Sequence, residues 1–178
     1  FEGYATHTFL NGIVMFLTIS GGLGFIVVTD IWYYISNRSN SISFTTKMIT
    51  LSFFGVLLIA TTITFFGETT IQQFPAFERL EVALFQTVNA ISTAGYNSIP
   101  LSNLTLGVLL TIIFLMYVGA APSSTGGGMK ITTLTAVIAI VKSKVRNQAK
   151  VTYLGKKIPA DRLEMAVSTF IFYTAILF

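Results

Sequence analysis

The chain has 178 residues, of which 53% are hydrophobic and 10% are charged, and its mean hydropathy is +0.74. A soluble domain carries about 25% charged residues, so this composition excludes an ordinary water-soluble globule and indicates a membrane protein. The chain has no cysteine and one histidine, His7, which excludes disulfides, thiolate chemistry and a histidine-pair metal site. The net charge is +4.

Long apolar stretches predict membrane-spanning helices. A span needs about 20 apolar residues, so the length allows about four or five spans. The apolar stretches cover residues 9–35, 48–66, 104–121, 131–141 and 165–178. In the first stretch, we expect Gly21 and Gly24 to let another backbone approach closely, and Asp30 to cap or pair at the inner end. The fold class predicted is an all-α membrane protein.

The charges give the chain one consistent orientation. Segment 142–162 carries seven basic residues against Asp161 alone, which predicts a cytoplasmic loop. Counting back one span places segment 67–103 outside, and a further span places Arg38 and Lys47 inside. The basic loop is either the topology signal alone or also a docking surface for a cytosolic partner.

Segment 74–100 contains a helix that is too short to cross a membrane. The apolar spacing predicts a helix over 78–91, which covers only about 20 Å at 1.5 Å per residue. Gly95 follows in a stretch with little helix preference, and glycine alone takes positive φ at little cost. These features predict a re-entrant pore helix followed by an extended filter loop, whose carbonyl oxygens would replace the hydration shell of a cation. The spacing alone fits an ordinary interhelical loop equally well.

Segment 104–141 is too long for one straight span. As a single helix it would measure about 57 Å, against a hydrocarbon core of about 30 Å. Pro122 and three consecutive glycines, 126–128, predict a break in this helix, with Lys130 placed at membrane depth. A phosphate-binding loop is disfavoured because Met129 separates the last glycine from the lysine. The unwound binding segment of a secondary transporter and a movable plug both remain open.

Two sequence segments of the chain together resemble those of one known family. They are FQTVNAISTAGYNSIPLS at 85–102 and GAAPSSTGGGMKITTLTAV at 119–137, with GGLGF at 21–25 and GKKIP at 155–159 as further similarities. The chain resembles the Trk/Ktr/HKT superfamily of potassium transporters, and within it the bacterial Ktr/Trk-type membrane subunit. The resemblance covers essentially all 178 residues.

The resemblance implies a pore of four repeats, each built as helix, pore loop and helix. On that scheme, residues 1–47 hold the outgoing helix of a second repeat and a cytoplasmic loop. Residues 48–141 form the complete third repeat, with pore loop 74–100 and broken helix 104–141. Residues 142–178 hold the basic loop and the start of a fourth repeat. We therefore expect the chain to be a fragment, or the ordered part, of a longer protein that contains the remaining repeats.

The resemblance also implies site residues and partners. The potassium filter would use the carbonyl groups of Thr93, Ala94, Gly95 and Tyr96. The gate would be the intramembrane loop with Ser123, Ser124, Thr125, Gly126, Gly127, Gly128 and Lys130. The expected transported ion is K⁺, with Na⁺ as a second candidate, and no covalent cofactor or nucleic acid is expected. Partners would be membrane lipid, a second copy in a homodimer and a cytosolic nucleotide-binding regulatory subunit.

Potassium movement through a channel-like uptake system in the cell membrane, without covalent chemistry, is therefore the leading functional hypothesis. Its coupling to Na⁺ or H⁺, as in a symporter, stays open. The alternative is a secondary transporter for a small solute, with the broken helix as its binding site. An enzyme is not expected, because the chain offers neither a histidine near an activated serine nor paired carboxylates within the membrane.

Overall fold

The chain is a bundle of helices, as predicted. A computed structural model describes residues 2–5, 7–148 and 150–177. Its helices are α1 (Thr8–Ile35), α2 (Phe44–Gly67), α3 (Ala76–Ser92), α4 (Leu106–Val118), α5 (Ile131–Val145) and α6 (Ala160–Leu177). Single 3-10 turns occur at Glu2–Tyr4 and Leu101–Asn103, and strands β1 (Thr152–Tyr153) and β2 (Lys156–Lys157) form an antiparallel hairpin.

Two helices have the length and apolar composition needed to cross a bilayer. These are α1 and α2, each with an 18-residue window of mean hydropathy 2.1. Only 17% of this 18-residue window in α1 and 33% of the one in α2 is buried inside the chain. Most of the surface of these two helices is therefore not covered by the rest of the chain. Large apolar side chains such as Phe16, Phe25 and Leu58 are therefore exposed, as suits contact with lipid or with other protein.

The short helix α3 is the innermost element. Eleven of its 17 residues are buried, against four of 28 in α1 and seven of 24 in α2. It contacts α1, α2 and α4. Its apolar side chains Val88 and Ile91 join a core with Phe53 and Leu57 of α2 and Leu115 of α4. Helix α3, the least hydrophobic of the six described helices, is thus in contact with three more hydrophobic ones.

Polar contacts fix the ends of the long helices. The backbone N–H of Ser43 donates to Asp30 Oδ2 at 2.9 Å, and the Ser43 hydroxyl accepts from the N–H of Thr46 at 3.2 Å. Ser43 is therefore the N-cap of α2, which explains why this helix begins ahead of the predicted start at 48. Asp30 thus pairs with the start of α2, as expected, and its place on the inner side of the membrane stays a prediction.

The prediction that residues 142–162 form a loop is partly wrong. Helix α5 continues to Val145, and the hairpin follows before α6 begins at Ala160. Lysines have good helix propensity and interact favourably with the negative end of the helix dipole, so the charges at 142 and 144 do not end α5. The hairpin is attached to the bundle because Tyr153 Oη lies 3.0 Å from Ser52 Oγ of α2.

A buried carboxylate joins the end of α2 to the start of α4. Glu68 lies just beyond α2 and is fully buried. It accepts from the N–H and hydroxyl of Thr70, at 3.1 and 3.0 Å, and from those of Thr105, at 2.9 and 3.2 Å. Burial raises the pKa of Glu68, but these hydrogen bonds outweigh burial and hold the pKa below its ordinary value.

We predict that Glu68→Gln lowers the free energy of unfolding by about 1–3 kcal/mol, because hydrogen bonds to a charged acceptor are lost. In the unsubstituted protein, the stabilisation from Glu68 is present above its ordinary pKa of 4.5 and is lost as the pH falls through the lowered pKa. Thermal unfolding in detergent at pH 7 and at lower pH measures both effects. The matched control is Glu78→Gln, at a partly exposed carboxylate in the first turn of α3. Equal stability of the two variants at pH 7 would contradict the prediction.

Candidate functional site

The backbone leaves the helical conformation where α3 ends. Thr93 takes the left-handed conformation, with φ 55° and ψ 34°. Its N–H donates to the carbonyl of Ala90 at 3.1 Å, and the N–H of Ala94 donates to that of Asn89 at 3.1 Å. Gly95 then has φ 82°, which a residue with a side chain rarely adopts. The predicted stretch without helix is therefore present, and it begins at the negative end of the α3 dipole.

The segment after α3 lies open on the surface of the chain. Ala94, Gly95 and Tyr96 are exposed and Thr93 is half-buried, although the preceding turn of α3 is buried. A β-branched residue in the left-handed region is strained. Two hydrogen bonds hold Thr93 in place, because its Oγ1 donates to the Ser92 carbonyl at 2.7 Å and accepts from the Gly127 N–H at 2.7 Å.

The chain then returns to the protein interior at Ser98. The side-chain oxygen of Gln86 in α3 accepts from both the N–H and the hydroxyl of Ser98, each at 3.2 Å. Ile99 packs next to Val82 and Ile71. Segment 93–98 is therefore fixed to α3 at both of its ends. We refer to residues 93–96 as the filter segment.

The predicted break between 104 and 141 is also present. Helix α4 ends at Val118 and α5 begins at Ile131, so residues 119–130 form a loop, which we call the gate loop. The loop folds back on the end of α4. The N–H of Met129 donates to the Tyr117 carbonyl at 3.0 Å, and the N–H of Ile131 donates to the Ala120 carbonyl at 3.0 Å.

The gate loop also hydrogen-bonds to α1. Its Ala121 and Thr125 N–H groups donate to the carbonyls of Gly22 and Gly21, at 2.9 and 3.2 Å, and the Phe25 N–H donates to the Ser123 carbonyl at 3.0 Å. Helix α1 is interrupted here, since Gly24 has φ 79° and ψ 158°. A Cβ on Gly24 would lie 2.7 Å from the Pro122 carbonyl oxygen. The expected close backbone approach at Gly21 and Gly24 is confirmed.

A third side of the gate loop contacts the end of α3. A Cβ on Gly126 would lie 2.9 Å from the Ser92 carbonyl oxygen and 2.5 Å from the Cβ of Ala120, and one on Gly127 would lie 2.9 Å from Thr93 Oγ1. The glycines therefore provide space for this contact. The ammonium group of Lys130 donates to the Gly126 carbonyl at 2.5 Å, so this cation lies against the loop itself.

The remaining predicted gate residues differ in their surroundings. Ser123 and Thr125 are exposed, and Ser123 has φ 57°. Ser124 is half-buried, and its hydroxyl has no hydrogen-bond partner among the described residues. Gly128 has φ 81° and lies against the backbone of Gly119. The structure thus brings the gate loop and the filter segment together through Thr93 and Gly127.

Sequence reasoning missed two polar side chains of α3. Gln86 holds Ser98, and Asn89 is 3% exposed just behind the filter segment. The spacing of Gln86 and Asn89 could have indicated a shared role, because polar residues three apart on a helix lie on the same face. It also missed that the Thr93 hydroxyl, rather than the Thr93 carbonyl alone, takes part in the site.

Three kinds of comparison place the chain among known proteins. The family model TrkH, described as "Cation transport protein", matches residues 1–178. The chain is 32% identical over 169 residues to the potassium/sodium uptake protein NtpJ of Enterococcus hirae, covering 93% of this chain and 37% of that protein. It is 30% identical over 149 residues to the Ktr system potassium uptake protein B of Bacillus subtilis, covering 79% of this chain and 33% of that protein.

A solved structure shares the fold. The potassium transporter TrkH of Vibrio parahaemolyticus matches with a TM-score of 0.74 at 20% identity, over 93% of this chain and 36% of that one. The chain thus spans about a third of the length of these relatives. The family is one of membrane cation transporters and not of enzymes. The resemblance read from the two sequence segments is confirmed, and the chain belongs to the TrkH family of cation transport proteins.

Proposed function

We propose that this chain is part of a channel-like potassium uptake protein of the cell membrane, and that the filter segment holds the ion. The observation that carries the proposal is the exposed, non-helical segment 93–96 at the C-terminal end of a buried helix. Ala94, Gly95 and Tyr96 are exposed, which places this backbone where a dehydrated cation could reach it, and the helix dipole favours positive charge there. The names of the relatives, a potassium/sodium uptake protein and a potassium uptake protein, support K⁺, with Na⁺ as a second ion.

The proposed pore is larger than this chain. The filter segment is open on one side, and a cation needs oxygen ligands from all sides to replace its hydration shell. We propose that three further repeats of the same protein supply them. The scheme with residues 1–47, 48–141 and 142–178 in the second, third and fourth repeats fits the exposed faces of α1 and α6.

We propose that the gate loop closes the pore beneath the filter segment. Among the described residues, the hydrogen bond from the Gly127 N–H to Thr93 Oγ1 joins the loop to the filter segment, and Gly126 lies close to the Ser92 carbonyl at the end of α3. Several backbone groups of the loop bind α1 and α4, and the Lys130 ammonium binds the loop's own Gly126 carbonyl, so the one cation of the loop is engaged within the loop. This arrangement favours a movable plug over the alternative of a solute-binding broken helix.

The basic segment 142–162 is proposed to face the cytoplasm and to contact a regulatory subunit. Its seven cationic side chains are all exposed, two of them on the last turn of α5 and two on β2. The hairpin lies against α2 through Tyr153 and Ser52, and Ser52 Oγ also accepts from Thr135 Oγ1 of α5 at 3.0 Å, so movement at this surface would be transmitted to the helix that follows the gate loop. On the family resemblance, we propose that this subunit binds a nucleotide and that the full-length protein is a homodimer.

We predict that Gly95→Ser in the full-length protein lowers the ratio of potassium to sodium uptake about tenfold. A residue with a Cβ at φ 82° costs about 1–2 kcal/mol, and about 1.4 kcal/mol corresponds to a factor of ten. Uptake of each ion by potassium-starved cells or by proteoliposomes measures the ratio. The matched control is Gly55→Ser in α2, where a Cβ has no neighbour within 4 Å. An unchanged ratio in the Gly95 variant would rule out Gly95 as a filter residue.

We also predict that Gly126→Ala raises the potassium flux about tenfold. The added methyl group overlaps Ala120 and the Ser92 carbonyl, and overpacking of about 1–3 kcal/mol would shift the loop away from its closed position. Deletion of residues 125–128 should raise the flux further. Gly12→Ala, at a position with open space around the added atom, is the control. If neither loop variant alters the flux, the gate loop is only a linker between α4 and α5.

A further inference from the structure

The Thr93 hydroxyl joins the filter segment to the gate loop. A backbone N–H can only donate, so Thr93 Oγ1 is the acceptor in its 2.7 Å contact with the Gly127 N–H. The one hydrogen of this hydroxyl is donated to the Ser92 carbonyl, also at 2.7 Å. Because a hydroxyl donates and accepts at the same time, this single group bridges the gate loop and the last residue of α3.

The backbone of Thr93 makes these contacts important. The residue lies in the left-handed region, with φ 55° and ψ 34°, where a β-branched side chain is crowded. On the side of α3, its backbone N–H donates to the Ala90 carbonyl at 3.1 Å. On the side of the gate loop, the Gly127 N–H holds its hydroxyl. If Gly127 moves away, Thr93 loses the support on that side while its backbone strain persists.

The conformation of Thr93 sets the direction of the carbonyl groups in the filter segment. The φ and ψ angles are the only soft backbone torsions of a residue, and ψ turns the carbonyl of that same residue. A change at Thr93 therefore moves its own carbonyl and the backbone of Ala94 and Gly95 after it. The far end of this stretch is fixed, because Ser98 is hydrogen-bonded to Gln86 of α3.

A second contact of the gate loop lies at the same place. A Cβ on Gly126 would lie 2.9 Å from the Ser92 carbonyl oxygen, which is the oxygen that accepts from the Thr93 hydroxyl. The loop thus lies against both partners of the hydrogen bond between Ser92 and Thr93. A displacement of the loop changes the surroundings of both of them.

We propose that the Thr93 hydroxyl couples the two elements, so that the position of the gate loop sets how tightly the filter segment holds its ion. With the loop in place, Thr93 is fixed and the filter binds the ion tightly. When the loop moves away, Thr93 is released, the affinity falls and the ion can leave, as conduction requires. Thr93 is then a positioning residue through its hydroxyl. The inference rests on the proposed function, because it takes residues 93–96 as the filter.

The test is equilibrium binding of K⁺ to the purified full-length protein, measured as displacement of radioactive rubidium at constant ionic strength. Thr93→Val keeps the shape of the side chain and removes the hydroxyl. We expect it to weaken binding about fivefold, since one hydrogen bond contributes about that factor. Thr93→Ser keeps the hydroxyl and should bind within about twofold of the unsubstituted protein. Equal weakening in both variants, or none in Thr93→Val, would overturn the proposal.

A double-mutant cycle separates this coupling from a direct contact between the hydroxyl and the ion. Deletion of residues 125–128 removes the Gly127 donor and should itself weaken K⁺ binding. In that background, Thr93→Val should add less than about a twofold further loss. A hydroxyl that touched the ion would give the same loss with and without the loop, and that result would contradict the coupling. Gly126→Ala, which keeps the length of the loop, replaces the deletion in the cycle if the deletion variant does not fold.

Thr87→Val is the matched control. Thr87 is a fully buried residue of α3, and its Oγ1 lies 2.9 Å from Thr61 Oγ1 of α2. The variant therefore removes a buried hydroxyl contact of the same helix with α2 instead of with the gate loop, and it should leave K⁺ binding unchanged. A loss equal to that of Thr93→Val would mean that any weakening of α3 has this effect, and would overturn the coupling.

Gly95→Ser, measured in the same binding experiment, separates the two proposals. If it weakens K⁺ binding and Thr93→Val does not, the filter assignment stands and the coupling fails. If Gly95→Ser leaves K⁺ binding unchanged, the filter assignment fails and the coupling fails with it.

Discussion

The structure depends on how non-helical backbone is hydrogen-bonded in the middle of a helical bundle. Peptide groups that leave a helix inside a membrane protein need other partners, because no bulk water is available. The gate loop obtains these partners from three helices, at Gly21 and Gly22 of α1, at Tyr117 of α4 and at Thr93 after α3. The interruption of α1 at Gly24 belongs to the same network, since the Phe25 N–H binds the loop at Ser123.

This network explains why glycines lie where they do. Gly24, Gly126 and Gly127 face backbone or side-chain atoms at distances that a Cβ could not occupy without movement of the neighbour. The hydrogen bonds from the loop to α1 and α4 are between backbones, and they hold the loop in a defined place. Apart from Met129 the buried side chains of the loop are small, so the movement that the proposed gate requires would displace little packed volume.

The position of α3 has a second consequence. Its polar side chains Gln86 and Asn89 are buried among apolar neighbours, where unsatisfied polar groups are unfavourable. Gln86 is satisfied by the return segment at Ser98, so that segment is required for the helix to be stable as well as for any ion site. Helix and filter segment thus depend on each other, and the same contacts that stabilise the fold also shape the proposed pore.

Much of this arrangement was predictable from the sequence, because local features determine it. Hydropathy and length predict the apolar helices. Pro122 and the three glycines predict the break between α4 and α5, and Gly95 with its neighbours predicts the end of α3. The pairing of Thr93 with Gly127 was not predictable, since these residues are 34 apart in sequence and meet only through packing. The bounds of the connection at 142–162 were predicted only in part, because lysine is compatible with helix and α5 continues to Val145, and because the contact of Tyr153 with Ser52 joins a short hairpin to α2.

The most direct test of the central claim is to locate the ion. Crystals or grids of the full-length protein prepared in rubidium should show a density peak beside the carbonyl groups of Thr93, Ala94, Gly95 and Tyr96. Anomalous scattering in the crystals identifies that peak as the cation. Rubidium density held only by side chains elsewhere, with none beside residues 93–96, would contradict the account.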